Sequence, residues 1–318
     1  QGSVSEMQAF VETMRETFAS LGMTEELSFS FTSETALDNL CVPMDSHLRR
    51  AIPIMNPLTD EYPLVRTTLL TSILENAARN VARKNLDLRL FDIAPVFFPK
   101  ALPLTELAEE KLKAAGLLTG RRSPVAWDTD NTVVDFYDAK GVLERFLTVI
   151  GVQKYTVERG EHFAMHPGKT AFFKKGRDVI AVLGEIHPTV AANFGIGQNV
   201  YVFEMDAETL LRYRRKKSTI KPLPKYPASA RDLAILVDAD LTTAEIERVI
   251  AKKGGKYFRH ATLFDIYAGK QVGEGKKSMA FHLHFQSDDK TLTDEEVDAA
   301  FAAILQAVEE QLHAQLRG

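Results

Sequence analysis

The sequence predicts an α+β fold in two parts, and three observations indicate it. Residues 4–211 mix long helical patterns with many short strand patterns, without the strand–helix alternation of a parallel sheet. Residues 228–318 carry apolar patterns in the order β-α-β-β-α-β. Between the two parts, residues 212–227 join a basic run to three prolines. Such a segment cannot continue a helix or lie in a central strand, so we predict a linker there.

The first part is predicted to form an antiparallel sheet with several helices. Apolar side chains with a period of 3.6 residues predict helices at 4–21, 67–84 and 135–150. In the last of these helices the inward side is expected to carry Val142, Phe146, Val149 and Ile150. Pro188 is expected to open a short helix. Strands are predicted at 27–31, 88–93, 111–119, 169–173, 179–186 and 200–205.

The second part follows a more regular plan. A strand at 233–237 precedes a helix that Thr242 or Thr243 can cap and that Gly254 and Gly255 end. Strands at about 261–267 and 277–286 are joined by a Gly-containing hairpin loop. A capping box at 293–296 opens a long helix, and residues 313–317 are expected to add a short strand. This order is the ferredoxin-like arrangement.

Alternation of side chains separates the two faces of this second sheet. In this topology both helices cover the same face, so the other face is expected to be open. The predicted covered face is apolar and consists of Leu233, Ile235, Val237, Phe264, Ile266, Met279, Phe281, Leu283 and Phe285. The predicted open face is mixed and consists of Ala234, Leu236, Asp265, Tyr267, Ser278, Ala280, His282 and His284, flanked by Arg231, Lys276 and Lys277.

The predicted open face allows three interpretations. Single-stranded RNA is bound by stacking a splayed base on an aromatic ring, with cations nearby for phosphate. Tyr and His are also common on an ordinary solvated face, because both suit strands. A metal site of His282, His284 and Asp265 is the third interpretation, since the two histidines project from the same face.

Composition and charge narrow the class of protein. Net charge is −4, but residues 212–277 hold 16 Lys and Arg against 7 Asp and Glu, which makes that segment a candidate polyanion-binding region. No apolar run approaches the roughly 18 residues of a membrane span, and no signal pattern opens the chain. Cys41 is the single cysteine, which excludes an internal disulfide. We expect a soluble protein of the cytoplasm.

Catalytic motifs are missing from the sequence. It contains no Gly-x-Ser-x-Gly, no Walker phosphate loop and no Gly-x-Gly-x-x-Gly. The acidic run around Asp128 to Asp138 lacks the central Gly and terminal Glu of a calcium loop, and Asp135 suits a helix N-terminus. We therefore predict no catalytic residue and no metal ligand.

Several collinear motifs resemble one family. The segment 55–70 (MNPLTDEYPLVRTTLL) is similar to the Asn-Pro-Leu…Leu-Arg-Thr-Ser-Leu segment of the bacterial phenylalanyl-tRNA synthetase beta subunit. Further segments follow in that family's order: HPGKTA at 166–171, LGEIHP at 183–188, FEMD at 203–206, PASARDLA at 227–234, LFDIY at 263–267, GKKSMAF at 275–281 and KTLTD at 290–294. The resemblance covers nearly the whole chain.

The resemblance implies two domains with different roles. Residues 4–211 would be a class II synthetase-like core that is not catalytic, 212–227 a linker, and 228–318 a ferredoxin-fold anticodon-binding domain. The family's editing and magnesium-binding regions are missing, so we expect a C-terminal fragment. The family's anticodon contacts correspond to Ala234, Asp265, Tyr267 and Ser278. From charge and position we add Arg231, Lys276 and Lys277 as phosphate contacts.

The resemblance also implies partners and cofactors. The partners would be tRNA(Phe) and the catalytic alpha subunit, in a heterotetramer of two alpha and two beta subunits. ATP and magnesium are expected for the complete synthetase and no cofactor for this fragment. An active class II site needs Arg-x-Glu on a strand and a late Gly-x-Gly-x-x-Arg. Here Arg89 and Asp92 stand three apart, and the second motif is absent. A stand-alone regulatory protein and an independent enzyme are the alternatives.

Overall fold

The computed structural model describes residues 2–215 and 223–317, and the chain divides into two compact units, 1–218 and 219–318. The part of the predicted linker at 216–222 lies outside the described residues. Its first two residues, Arg212 and Tyr213, belong to a helix instead. Residues 223–228 carry neither helix nor strand.

Eight α-helices are described. They are α1 (Glu6–Ser20), α2 (Glu34–Asn39), α3 (Leu70–Ala82), α4 (Phe136–Val149), α5 (Pro188–Asn193), α6 (Ala207–Tyr213), α7 (Thr243–Lys253) and α8 (Asp294–Leu312). Capping boxes open α1, α4, α7 and α8, with Asp135 as the cap of α4 and Thr242 as the cap of α7. The side chain of a capping residue bonds backbone N–H groups that have no partner inside the helix, which fixes where these helices begin.

The strands of the first unit build one large sheet and one small one. They are β1 (Thr24–Glu25), β2 (Phe31–Thr32), β3 (Leu64–Val65), β4 (Leu88–Phe98), β5 (Glu109–Thr119), β6 (Thr156–Arg159), β7 (Met165–Lys175), β8 (Asp178–Ile186) and β9 (Val200–Asp206). Seven of them pair in the order β1-β4-β5-β9-β8-β7-β6, all antiparallel except β1 with β4, and β2 pairs with β3. The unit therefore has the predicted α+β, mainly antiparallel character.

Both faces of the large sheet are buried. One face packs Phe91, Leu118 and Phe203 against α1, α4 and α6, while the other packs Leu90 and Leu117 against α3 and α5. The sheet is packed closely on the first face, because a Cβ at Gly116 would lie 2.1 Å from the ring of Phe203. This sheet is the middle layer of the first unit.

Two predictions about the first unit are wrong. Residues 27–30 are not a strand, because the chain there separates β1 from β2, and Leu27 and Phe29 point largely into solvent. In α4 the buried residues are Ala139, Leu143, Phe146 and Leu147, so Val149 lies outside the core at 47% exposure. Both predictions assumed that apolar side chains in a regular pattern are buried, but Leu27, Phe29 and Val149 are exposed.

The second unit has the predicted β-α-β-β-α-β order. Its strands are β10 (Ser229–Asp238), β11 (Phe258–Tyr267), β12 (Lys276–Phe285) and β13 (Gln315–Leu316). They pair antiparallel in the order β11-β12-β10-β13, and α7 and α8 pack on one face. Ile246 and Ile250 of α7 and Val297, Ile304 and Val308 of α8 are buried there. The ferredoxin-like arrangement is confirmed.

Candidate nucleic-acid interface

The second sheet is covered on one face only. Leu233, Ile235 and Val237 of β10 are buried against the helices, as are the alternate residues Met279, Phe281, Leu283 and Phe285 of β12. The intervening residues of both strands point to the opposite face and are at least partly exposed, apart from Ser278. Alternation therefore predicts the faces of β10 and β12 correctly.

Strand β11 departs from strict alternation. Leu263 pairs with Phe281 and Asp265 pairs with Ala280, so Phe264 is an extra residue of a β-bulge. Its ring is 50% exposed and stacks on His282, which places it on the open face. Ile266 pairs with Met279 but is 54% exposed, because β11 is the edge strand. The prediction that the helices cover Phe264 and Ile266 is wrong.

Tyr267 lies at one end of the open face. It pairs with Ser278, which pairs in turn with Leu236. The tyrosine is 38% exposed, whereas Ser278 is only 4% exposed. Gly269 makes room for the phenol, since a Cβ there would lie 2.5 Å from the Tyr267 hydroxyl oxygen. The ring is thus held at its hydroxyl end and remains accessible, but Ser278 is accessible only if its neighbours move.

The next row of residues forms a shallow floor beside Tyr267. Asp265 pairs with Ala280, and Ala280 pairs with Ala234. Both alanines are partly exposed and Asp265 is exposed. Two methyl groups leave space above the sheet, and the carboxylate at its edge can accept hydrogen bonds. The structure therefore places Tyr267, Asp265 and Ala234 in two adjacent rows of one face, and Ser278 lies in the row of Tyr267 as its buried neighbour on β12.

The three predicted phosphate contacts do not lie together. Arg231 has the parity of Leu233, so it lies on the helix-covered face, where its guanidinium pairs with Asp294 and Asp298 of α8 at 2.9 Å each. Lys277 lies on that face too and donates to the carbonyl oxygens of residues 239 and 241. The prediction that Arg231 and Lys277 flank the open face is wrong, because both have the strand parity of residues on the helix-covered face. Lys276 does lie on the open face, paired with Asp238 at 2.6 Å.

Arg317 is a cation that sequence reasoning missed. Its backbone N–H bonds the carbonyl oxygen of Ala234 just beyond β13, and its guanidinium carbon lies 5.9 Å from the centre of the Tyr267 ring. The side chain is exposed. Such a position is typical of a cation–π contact. The C-terminal strand thus brings a positive charge across the open face to the tyrosine.

The histidines of the open face have defined neighbours. His282 Nδ1 lies 2.5 Å from the carboxylate of Asp232 on β10, and His284 stacks on His260 with ring centres 4.3 Å apart. His282 and His284 are thus engaged with Asp232 and His260. Across residues 2–215 and 223–317, no group of three or more His, Cys, Asp or Glu side chains could hold a metal ion.

The candidate catalytic strand of the first unit uses its charges internally. Arg89 of β4 donates to the carbonyl oxygen of residue 122. Asp92 is buried beside Arg66, with a guanidinium-to-carboxylate distance of 3.6 Å, and burial raises its pKa. Arg66 also donates to Pro95 O and Phe29 O. These groups hold the loop after β1 against β4.

In the described part of the chain, no helix is long and apolar enough to cross a membrane.

Comparison with known proteins identifies both units. The family described as "Phenylalanyl tRNA synthetase beta chain CLM domain" matches residues 1–207. The family described as "Ferredoxin-fold anticodon binding domain" matches residues 224–317. The second match covers the sheet that carries Tyr267 and the two helices behind it.

Relatives match along nearly the whole chain. The phenylalanine–tRNA ligase beta subunit of Syntrophotalea carbinolica is 38% identical over 309 residues, which cover 96% of this chain and 38% of that protein. The same subunit from Clostridium acetobutylicum is 35% identical, over 98% of this chain and 38% of that protein. The chain therefore spans little more than a third of the length of these relatives.

A solved structure shares the fold at low sequence identity. The crystal structure of pyrrolysyl-tRNA synthetase from Desulfitobacterium hafniense matches 65% of this chain and 68% of its own, with a TM-score of 0.50 and 12% identity. That likeness concerns the fold alone. The family match over residues 1–207 covers more than half of the sequence, and so the chain belongs to the phenylalanyl-tRNA synthetase beta chain family.

Proposed function

We propose that this chain is a non-catalytic part of a phenylalanine–tRNA ligase beta subunit that binds the anticodon loop of tRNA(Phe). The same chain supports a catalytic alpha subunit, which attaches phenylalanine to tRNA with ATP and magnesium. The relatives named phenylalanine–tRNA ligase beta subunits and the match of residues 224–317 to the ferredoxin-fold anticodon-binding family support the proposal. The observation that carries it is the open face of the second unit, with Tyr267 beside a row that contains Ala280 and Ala234.

The chemistry of this face suits an unpaired base. An accessible aromatic ring offers a surface on which any base can stack, and the space above Ala234 and Ala280 can admit a base edge-on. Asp265 can accept hydrogen bonds from the amino and imino groups of a purine. Tyr267 is thus the stacking residue, and Asp265 is the residue that reads the base edge.

The cations of the face suit the RNA backbone. Arg317 is exposed and its described contact is with a ring rather than a carboxylate, so it can contact a phosphate without first breaking an ion pair. Lys276 must leave or share Asp238. We therefore assign Arg317 the main phosphate contact and Lys276 a secondary one. Arg317 therefore takes the role of phosphate contact that the sequence analysis assigned to Arg231 and Lys277.

The first unit suits a class II synthetase-like scaffold. The solved pyrrolysyl-tRNA synthetase matches 65% of the chain, which exceeds the second unit and so includes part of the first. The cations and carboxylates of β4 are occupied by internal contacts, which leaves adenylate formation without an evident stabiliser there. Adenylate formed from ATP and phenylalanine by this chain alone would contradict the assignment.

Exposed apolar side chains support a contact with the alpha subunit. Leu27, Phe29, Met55 and Leu58 are each 79–93% exposed, and they lie within one segment of the first unit. Exposed large apolar side chains are typical of surfaces that a partner covers. We assign the alpha subunit as that partner.

Binding of an anticodon stem-loop tests the proposal. We expect Tyr267→Ala to weaken binding of the tRNA(Phe) anticodon hairpin by about 1–3 kcal/mol, because one base loses its stacking surface. Tyr267→Phe is the matched control, since it keeps the ring and removes only the hydroxyl. Fluorescence anisotropy with labelled hairpin measures both.

Two outcomes would contradict the proposal. One is a Tyr267→Ala chain that binds the hairpin as tightly as the parent chain. The other is binding that ignores ionic strength, since phosphate contacts make RNA affinity fall with salt, whereas a small neutral ligand of a regulatory domain would show no such dependence. A hairpin with a scrambled anticodon loop reports how much of the affinity depends on loop sequence.

A further inference from the structure

The open face carries a second aromatic surface away from Tyr267. The rings of Phe264 and His282 stack with centres 4.0 Å apart and planes 15° from parallel. Phe264 remains 50% exposed, so the histidine covers one side of the ring and the rest is accessible. None of the contacts assigned above includes this pair.

The bulge in β11 places Phe264 there. Counted back from Tyr267 and Asp265 by regular alternation, residue 264 would lie on the helix-covered face. Residues 263 and 265 pair instead with consecutive residues of β12, so 264 is an extra residue without a partner, and its ring stacks on His282 of the open face. Bulges re-aim side chains and are common next to binding sites. The apolar core behind the sheet does not need this ring, because Leu263 already packs there.

His282 is held in position beneath the phenylalanine. Its Nδ1 contacts Asp232 of the adjacent strand at 2.5 Å, in the row where 232 and 282 pair directly. A ring fixed by a neighbouring carboxylate loses less freedom when a ligand binds. The His284–His260 stack continues the flat surface along the same two strands.

The spacing from Tyr267 fits a splayed strand. Ser278, beside Tyr267, and His282 are four residues apart on β12, which is about 13 Å along the strand. Two bases that stay stacked on each other are about 3.4 Å apart, so a pair of neighbouring stacked bases cannot reach both aromatic surfaces. Unpaired loop nucleotides with separated bases can, and this is how sheet platforms bind single-stranded RNA.

We propose that Phe264, backed by His282, is a second base-stacking platform, which takes another unpaired nucleotide of the anticodon loop bound at Tyr267. This inference rests on the proposed function and adds a residue to it. The platform selects flat bases over other ligands of the same charge, because it offers ring surface and no free cation of its own.

Substitutions at Phe264 in the full chain separate stacking from simple apolar contact. We expect Phe264→Ala to weaken binding of the tRNA(Phe) anticodon hairpin by roughly 5- to 100-fold, the usual range for one lost stacking surface. Phe264→Leu, which keeps apolar volume but has no ring, should weaken it similarly. Phe264→Tyr should bind like the parent chain. Circular dichroism and the unfolding midpoint check that each variant is folded.

A second measurement locates the nucleotide. Hairpins with an abasic nucleotide at each loop position in turn are titrated with the parent, Phe264→Ala and Tyr267→Ala chains. We expect one position where loss of the base weakens binding to the parent but not to Phe264→Ala, and a different position with that behaviour for Tyr267→Ala. Such a cycle reports the pairwise coupling of ring and base.

The possible failures are distinguishable. If Tyr267→Ala weakens binding and Phe264→Ala does not, the second platform is overturned and the proposed function stands. If Phe264→Leu binds as well as the parent, the contact is apolar and stacking is overturned. If the parent chain does not bind the hairpin at all, both proposals are wrong.

Discussion

The two large sheets of this protein differ in how many of their faces are buried. The seven-stranded sheet of the first unit has apolar clusters on both faces, with residues such as Phe203 on one and Leu117 on the other. The four-stranded sheet of the second unit has a single cluster, under α7 and α8. A sheet buried on both faces offers no open face to a ligand, whereas a sheet with one open face combines a stable core with a binding surface.

The charged groups follow the same division. In the first unit Arg66, Asp92 and Glu26 are buried at 1–6% exposure and contact one another or their neighbours. On the open face of the second unit, Asp265 and Arg317 are exposed. We infer that the buried ionisable groups of the first unit govern its stability, whereas the exposed charges on the open face of the second unit are available for binding.

Removal of Arg66 should have the largest effect. Its guanidinium donates to the Ser28 hydroxyl at 2.5 Å and to Pro95 O at 2.9 Å, and it lies 3.6 Å from Asp92. Arg66→Ala leaves a buried carboxylate without its cation, so we expect the free energy of unfolding of the first unit to fall by about 3–5 kcal/mol. Urea denaturation followed by circular dichroism measures it.

The matched control for Arg66 is an arginine at the surface of the same unit. Arg121 pairs with Asp87 at 2.7 Å in an exposed position, where water and salt screen the charges. Arg121→Ala should leave the unfolding transition of the first unit nearly unchanged. Equal losses from the two substitutions would contradict the contrast between buried and exposed charge.

Glu26 gives the first unit a pH dependence of stability. Burial raises its pKa from 4.5 to about 7, against a hydrogen bond from Asn76. Between these two values the unfolded chain ionises Glu26 while the folded chain still binds the proton, so stability falls as pH rises through that window. Above pH 7 the loss is constant, and about 1.4 kcal/mol per pKa unit makes it about 3 kcal/mol.

Glu26→Gln should remove this dependence. We expect the variant and the parent to be similarly stable near pH 4, and the variant to become more stable by about 3 kcal/mol near pH 8. Thermal or urea unfolding across that range measures the difference. Glu25→Gln controls for the loss of one carboxylate at a more exposed neighbouring position. A constant difference between parent and Glu26→Gln at all pH values would show that ionisation is not the cause.

Strand alternation accounts for what the sequence could predict about the site. Apolar and polar residues alternate in β10 and β12, and both strands lie as expected, so Ala234 and Ala280 share the open face with Tyr267. The same rule, applied to Arg231, would have placed it with Leu233 on the covered face. Arg231 was assigned to the open face because it is close in sequence to residues of that face, without regard to which side of the strand its side chain occupies.

Three other features of the structure cannot be predicted from the alternation of apolar and polar residues. A bulge adds one residue to one strand, and no local pattern around Phe264 distinguishes it from regular pairing. Arg317 meets Tyr267 only because β13 pairs with β10 and brings the C-terminal residues to the sheet, fifty positions away in sequence. In the first unit, Phe29 belongs to an alternating apolar pattern that resembles a buried strand, yet its side chain is 79% exposed.

The smallest expected effect distinguishes two arginines of the second unit. Arg317 lies on the open face beside Tyr267, while Arg231 lies under α8, held by Asp294 and Asp298. If Arg317 contacts one phosphate, Arg317→Gln should weaken hairpin binding modestly at low salt and reduce the slope of log affinity against log salt by about 1. Anisotropy titrations at several salt concentrations measure the slope.

Arg231→Gln is the comparison that makes this measurement decisive. Both substitutions remove one positive charge from the same unit, so any effect of net charge alone would be equal. Because Arg231 is occupied on the helix side, its loss should leave the salt slope unchanged and act instead on the stability of the second unit. A salt slope that falls with Arg231→Gln and not with Arg317→Gln would place the RNA on the helix side, and the open face would lose its assigned role.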